Sequence, residues 1–180
     1  MTNRFLEGAF APLDQEYTLT DLEVVGTIPD HLDGRYLRNG PNPIGEIDPE
    51  LYHWFVGDGM VHGIRIRDGK AEWYRNRWVR GPQTARALGE APPPGEFPLS
   101  GIGANTNVIG HAGKTLALIE AGVANFELTD ELDTVGVCDF DGTLSGGYTA
   151  HPKRDPDTGE LHAVSYSMYR GNTVQYSVIG

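Results

Sequence analysis

The sequence has a single cysteine, so no internal disulfide can form, and Cys138, next to Val137 and close to Phe140, reads as a small buried apolar residue rather than a nucleophile. It has no Asn-x-Ser/Thr sequon. Basic residues are scarce: 14 Lys and Arg stand against 25 Asp and Glu among 180 residues, a formal net charge of -11. Phosphate binding needs a basic face, so this balance argues against a nucleic-acid partner and for a solvated acidic surface. No apolar run approaches the roughly 18 residues that a membrane span requires. Met1-Thr2-Asn3-Arg4-Phe5-Leu6-Glu7 also lacks the apolar core of a secretory signal, so the expected location is cytoplasmic. Helical periodicity is nearly missing as well. The length still permits a sizeable core, built as one domain or part of one.

What the sequence does have is β signal. Residues 1–33 read as an arm in which Leu19, Leu22, Val24, Val25 and Ile28 are interrupted by charges and stopped by Pro29; it should wrap a core built by residues 34–180. Gly34 to Leu37 is a short predicted strand, closed by the turn cluster Asn39-Gly40-Pro41-Asn42-Pro43. Met60 to Arg67 and Lys70 to Val79 are extended runs joined by Asp68-Gly69, a pair that supplies positive φ to a two-residue hairpin. A proline-rich loop, Ala91-Pro92-Pro93-Pro94-Gly95, reads as an excursion on one face. Three further hairpins follow: Asn105 to Gly110 with Thr115 to Ile119, Asn125 to Leu128 with Thr134 to Phe140, and Tyr166 to Tyr169 with Thr173 to Ile179. The fold class is therefore all-β. Regular short strands suggest a sandwich, barrel or propeller, and hairpin units of similar length favour the propeller.

The stretch with most chemical promise is Gly146-Gly147-Tyr148-Thr149-Ala150-His151-Pro152-Lys153, which reads strand, histidine, turn, strand. Pro152 biases His151 away from helix, and Asp157-Thr158-Gly159 connects tightly to His162-Ala163-Val164-Ser165-Tyr166. A histidine at a strand end suits a metal ligand, because the neutral ring nitrogen must be held in one orientation. By spacing alone most such histidines bind no metal, and the nearest, His162, lies across the turn. Glu120 ends the apolar strand Leu116-Ala117-Leu118-Ile119, where an exposed carboxylate is the ordinary reading. His62 and His53 read as hydrogen-bonded or packed histidines. Asp155-x-Asp157-x-Gly159 reads as a turn that lacks the remaining ligands of a calcium loop.

Two other readings compete. Asp139-Phe140-Asp141-Gly142-Thr143-Leu144 is similar to the first motif of haloacid-dehalogenase-type phosphatases, with Asp139 as nucleophile, Asp141 as general acid/base and Mg2+ balancing both. That fold needs a helix after the motif and a parallel α/β sheet, whereas Ser145-Gly146-Gly147 leads into an extended run. A non-catalytic propeller scaffold that binds proteins without metal is the third class.

Thr149-Ala150-His151-Pro152-Lys153, with Asp155-Pro156 and Thr158-Gly159-Glu160-Leu161, resembles the first metal-ligand motif of the carotenoid cleavage oxygenases, a family that includes the lignostilbene dioxygenases. Gly34-Arg35-Tyr36-Leu37-Arg38-Asn39-Gly40-Pro41-Asn42-Pro43, Gly57-Asp58-Gly59-Met60-Val61-His62-Gly63, Tyr74-Arg75-Asn76-Arg77-Trp78-Val79-Arg80 and Ala104-Asn105-Thr106-Asn107-Val108 resemble further signatures in the family's order. Val56 departs from the acidic residue usual there. The resemblance covers essentially the whole chain, but only the family's N-terminal portion. It implies a seven-bladed β-propeller, of which this chain carries the arm and first blades, with iron on the axis beneath a substrate tunnel.

It further implies Fe(II) held by four histidines. His151 matches the first, and the other three would lie beyond Gly180. Glu120 matches a glutamate that orients an iron-bound histidine, either His151 or one beyond Gly180. The implied activity is that of a non-haem Fe(II) dioxygenase, which uses O2 to cleave a conjugated C=C bond of a carotenoid, apocarotenoid or stilbene, a lipophilic or aromatic alkene. Peripheral membrane contact is implied too, although no stretch here marks an apolar patch for it. As a fragment, the chain is expected to fold poorly and to be inactive, because an open propeller exposes strand edges and one imidazole does not retain ferrous iron.

Overall fold

The computed structural model describes residues 3–97 and 103–180. Within them the strands form three antiparallel sheets. In the first, β1 (Thr18–Leu19), β2 (Gly34–Pro41), β3 (Gly59–Arg67) and β4 (Lys70–Trp78) lie in the order β1-β4-β3-β2. The second is a plain meander of β5 (Asn107–His111), β6 (Lys114–Leu118), β7 (Phe126–Leu128) and β8 (Thr134–Val137). The third contains β9 (Lys153–Arg154), β10 (Leu161–Tyr166) and β11 (Val174–Ile179), with β10 central.

The hairpin chemistry is local. Asp68 and Gly69 have φ of 48° and 70°, and Ala112 and Gly113 have φ of 47° and 76°, so both two-residue turns use the left-handed region that matches strand twist. These turns set the β3–β4 and β5–β6 registers.

Packing follows from β6. Its residues alternate between two cores: Ala117 and, just beyond the strand, Ile119 face Val61, Val79, Phe126 and Leu132, while Leu116 and Leu118 face Phe140, Tyr148, Ala150 and Ala163. A strand buried on both faces must be apolar at every position, which explains the unbroken Leu116-Ala117-Leu118-Ile119. The second sheet is thus sandwiched between the other two. Salt bridges from Arg35 to Asp130 (3.0 Å), Arg77 to Asp133 (3.4 Å) and Arg75 to Glu131 add polar stitches between the first sheet and the β7–β8 turn. Their acids are exposed, so each contributes at most about 1 kcal/mol.

Buried amides hold the arm. Asn42 Oδ1 accepts from Leu13 N at 2.7 Å and its Nδ2 donates to Leu13 O at 2.9 Å; Asn76 does the same for Tyr17 N (2.6 Å) and Gln15 O (3.1 Å). Each side chain copies one rung of a β ladder, and β1 continues the docking with true pairs to β4.

Several expectations are corrected. β2 does not stop at Leu37 but runs on through Asn39, Gly40 and Pro41, paired with Val61, Met60 and Gly59. It is the edge of its sheet, where a proline lacking an N–H does no harm to the ladder. The proline-rich loop is not a free excursion: Pro94 O accepts from Val137 N at 3.0 Å, so the loop covers the edge of β8. A short helix, α1 (Pro82–Ala87), starts with proline at its first turn, a signal present in Gly81-Pro82. The last hairpin uses Leu161–Tyr166 instead of Tyr166 to Tyr169, because Ser167 Oγ accepts from Tyr169 N and turns the chain there. Finally, Thr149 and Ala150 belong to no strand; β9 begins after His151, not before it.

Candidate metal centre

Glu120 stands two residues past the end of β6, at the point where Ala121 (φ 65°) and Gly122 (φ 79°) turn the chain back. The segment carrying His151 is pressed against that turn. A Cβ on Gly147 would lie 1.9 Å from Gly122 Cα, so the two backbones touch in a way that only glycine at 147 permits. Tyr148 and Ala150 then enter the second core, fully buried, and Asn107 Nδ2 donates to Ala150 O at 2.8 Å. Burial, with a smaller contribution from Cys138, raises the Tyr148 phenol to about 12 and keeps it neutral in that core. With Tyr148 and Ala150 turned inward, Thr149 is aimed at Glu120 and His151 is delivered to the surface.

The polar geometry is dense. Glu120 Oε1 accepts from His151 Nδ1 at 2.5 Å, from Ala150 N at 3.1 Å and from Thr149 Oγ1 at 3.1 Å, while Oε2 lies 3.2 Å from the same hydroxyl. Thr149 Oγ1 in turn accepts from His151 N at 3.2 Å. A carboxylate can only accept, so the neutral imidazole carries its hydrogen on Nδ1 and keeps its lone pair on Nε2. The His151 side chain is 63% exposed and that of Glu120 31%, so the couple has a fixed back and an open front. Carboxylate–histidine couples of this kind hold metal ligands in many sites.

The expected residues divide as follows. Glu120 and His151 meet. Thr149 and Asn107, which lie in the quoted motifs but were given no role there, join them through contacts with chain segments far away in sequence. Among the described residues no three His, Cys, Asp or Glu side chains converge to hold a metal. His62 Nδ1 lies 2.9 Å from Tyr74 Oη, and burial, helped by the Arg38 charge, lowers its pKa to about 4. His53 stacks edge-on against Phe5 at 4.4 Å and accepts from Phe55 N. Burial raises the Cys138 thiol, as suits an inert core residue. Asp155 Oδ1 accepts from Asp157 N and Thr158 N, which makes its motif an Asx turn.

The phosphatase reading loses its context. Asp139 Oδ1 accepts from Gly142 N at 2.9 Å, Phe140 and Asp141 adopt φ of 52° and 59°, no α-helix follows among the described residues, and the three described sheets are antiparallel. Asp139 and Asp141 belong to a tight turn. A cavity of ≈ 580 Å³ opens between the arm and the first sheet, lined in part by Phe5, Phe10, Trp54, Arg38 and His62, and contains neither His151 nor Glu120.

Sheets stacked face to face around shared cores, with a carboxylate-backed histidine at the head of β9, are the architecture of a β-propeller with a candidate metal position. Residues 10–180 match the family described as Retinal pigment epithelial membrane protein. The chain is 69% identical over 181 residues to a carotenoid cleavage oxygenase of Mycobacterium tuberculosis, covering 99% of this chain and 36% of that protein. Over 197 residues it is 37% identical to carotenoid 9,10(9',10')-cleavage dioxygenase 1 of Arabidopsis thaliana, covering 91% of this chain and 36% of that protein. The crystal structure of Pseudomonas brassicacearum lignostilbene dioxygenase superposes with a TM-score of 0.77 at 30% identity, over 100% of this chain and 41% of that one. A cobalt-substituted Synechocystis apocarotenoid oxygenase gives 0.69 at 25% identity, over 93% and 43%. The chain belongs to the carotenoid oxygenase family, and it spans about 36% of the length of the curated relatives it matches.

Proposed function

We propose that this chain supplies the first blades and one metal ligand, His151, of an Fe(II)-dependent oxygenase that uses O2 to cleave a conjugated C=C bond in a carotenoid, apocarotenoid or stilbene. The observation that carries this reading is the 2.5 Å contact between Glu120 and His151 Nδ1, on a His151 side chain that is 63% exposed. The donor set fits: a neutral imidazole of fixed orientation is a good ligand for ferrous iron, and an adjacent carboxylate increases its basicity. The substrate classes come from the relatives, among them the carotenoid, lignostilbene and apocarotenoid oxygenases named above, and cobalt substitution in one of them speaks for a metal site there.

When bound, ferrous iron supplies the redox centre at which dioxygen becomes reactive toward the alkene. The residues of this chain serve that centre by position. Glu120 fixes the tautomer and plane of the His151 ring, Tyr148 and Ala150 lock the preceding backbone in an apolar core, and the Gly122–Gly147 contact holds the two segments together.

In the full-length enzyme His151→Ala should abolish or severely reduce iron occupancy, measured by metal analysis after anaerobic Fe(II) loading. Unchanged occupancy would remove His151 from the ligand set. Oxygen uptake assayed with a stilbene and with an apocarotenoid then separates the substrate classes.

A further inference from the structure

The geometry points to a positioning role for Asn107: its side-chain amide clamps the peptide plane that delivers His151 to the metal and ties that backbone to the second sheet. This rests on the metal reading above and extends it to a residue that would touch neither metal nor substrate. Asn107 opens β5, where its backbone pairs with Leu118 of β6. Its Oδ1 accepts from Val108 N at 2.8 Å, and its Nδ2 donates to Ala150 O at 2.8 Å, 43 positions along the chain. The first bond fixes which end of the amide is oxygen, so the second is an N–H donation. Ala150 is fully buried, and no other donor to its carbonyl is found among the described residues. A buried carbonyl left unpaired is costly, so the contact holds the segment as well as touching it.

The oxygen that Asn107 grips belongs to the peptide between Ala150 and His151, whose six atoms are coplanar and end at His151 Cα. Pro152 restrains the other side of the same residue by keeping His151 in the extended region. With its backbone restrained before and after, His151 sends its Cβ in one direction, and only the side-chain rotamer is left to choose. The clamp has its own anchor. Asn39 on β2 donates through Nδ2 to Ala104 O at 2.9 Å and to Asn107 O at 3.0 Å. Two asparagines in series thus join the first sheet, the second sheet and the segment that leads into β9. Asparagine suits the position because a short, planar side chain carries the donor for Ala150 and the acceptor for Val108 in one rigid group. A metal ligand must be held within about 0.5 Å of its productive place, and a clamp on the ligand's own peptide supplies that precision.

The test uses the full-length enzyme, metal-free and then loaded with Co(II), the ion of one cobalt-substituted relative. Asn107→Asp keeps the shape and the Oδ1 acceptor but removes the donor, and Asn107→Ala removes both without adding charge. Co(II) affinity should fall roughly tenfold in both variants, at the low end for loss of an outer partner of a metal ligand. The d–d absorption of the bound ion should shift as well, because the same ligands then meet it at altered angles. In the metal-free enzyme, hydrogen–deuterium exchange should rise in the peptide covering residues 148–153. Folded variants with the wild-type spectrum and affinity overturn the role of Asn107, and a fall in affinity without a spectral shift, the mark of general destabilisation, overturns it too. Exchange in the wild-type peptide at the rate of an unprotected segment does so without any variant, which covers variants that do not fold. His151→Ala is the control for the metal reading and should abolish the wild-type Co(II) spectrum. If it leaves that spectrum intact while exchange rises in the Asn107 variants, the clamp on the backbone is supported and the metal reading fails instead.

Discussion

His62 and His151 show how differently two histidines of one chain are used. His62 is turned toward Tyr74, and burial with the nearby Arg38 lowers its pKa to about 4 from 6.5. Between those values the unfolded chain binds the proton and the folded chain does not. Stability from this residue is therefore fully present above pH 6.5 and is lost as pH falls toward 4. The ring is only partly buried, so solvent screening reduces the effect to about 1–2 kcal/mol. Urea unfolding of the wild type and of His62→Gln should show a pH slope in this window that is shallower in the variant; equal slopes would mean that His62 does not couple protonation to folding. His151, by contrast, has a side chain that is mostly exposed. Both His151 and Glu120 were singled out by their resemblance to family positions rather than by spacing, and the fold brings their side chains together. The Thr149 contact was not legible in the sequence, because it is made to a carboxylate 29 positions away that only the fold brings near.

At the scale of the element, legibility depends on how local the determinants are. The β3–β4 and β5–β6 hairpins could be read because Asp68-Gly69 and Ala112-Gly113 set their own turns. The extension of β2 through Pro41 could not, because what permits proline there is edge position, a property of the assembled sheet. The same holds for the segment before His151, which reads as a strand but is held by its contact with Gly122 and by the second core. Gly147→Ala tests that contact: its methyl would fall 1.9 Å from Gly122 Cα and drive the two segments apart. A loss of about 1–3 kcal/mol in unfolding free energy, read by urea denaturation, is expected from such overpacking. Wild-type stability in this variant would show that the two loops are not held together.

For the molecule as a whole, the third sheet turns an apolar face to solvent. Val164 and Tyr166 on β10 pair with Tyr176 and Val174 on β11, and all four are more than half exposed. A face of this kind favours association. Replacing Val174 and Tyr176 by lysine should lower the concentration-dependent mass seen by light scattering without changing the β content; unchanged scattering would place the sticky surface elsewhere. The all-β class and the propeller could be read from hairpin spacing and motif order. The division of labour between two cores was not, since it appears only when the faces of β6 are assigned to different neighbours.

That division governs how the protein breathes. Lifting β6 out of its ladder uncovers Leu116 and Leu118 on one side and Ala117 on the other, so it requires both cores to come apart at once. Deuterium should enter the amides of these three residues later than those of β10 or β11. The carboxylate just beyond them is thus moored to slow-opening backbone, while the imidazole it steadies sits where solvent arrives first.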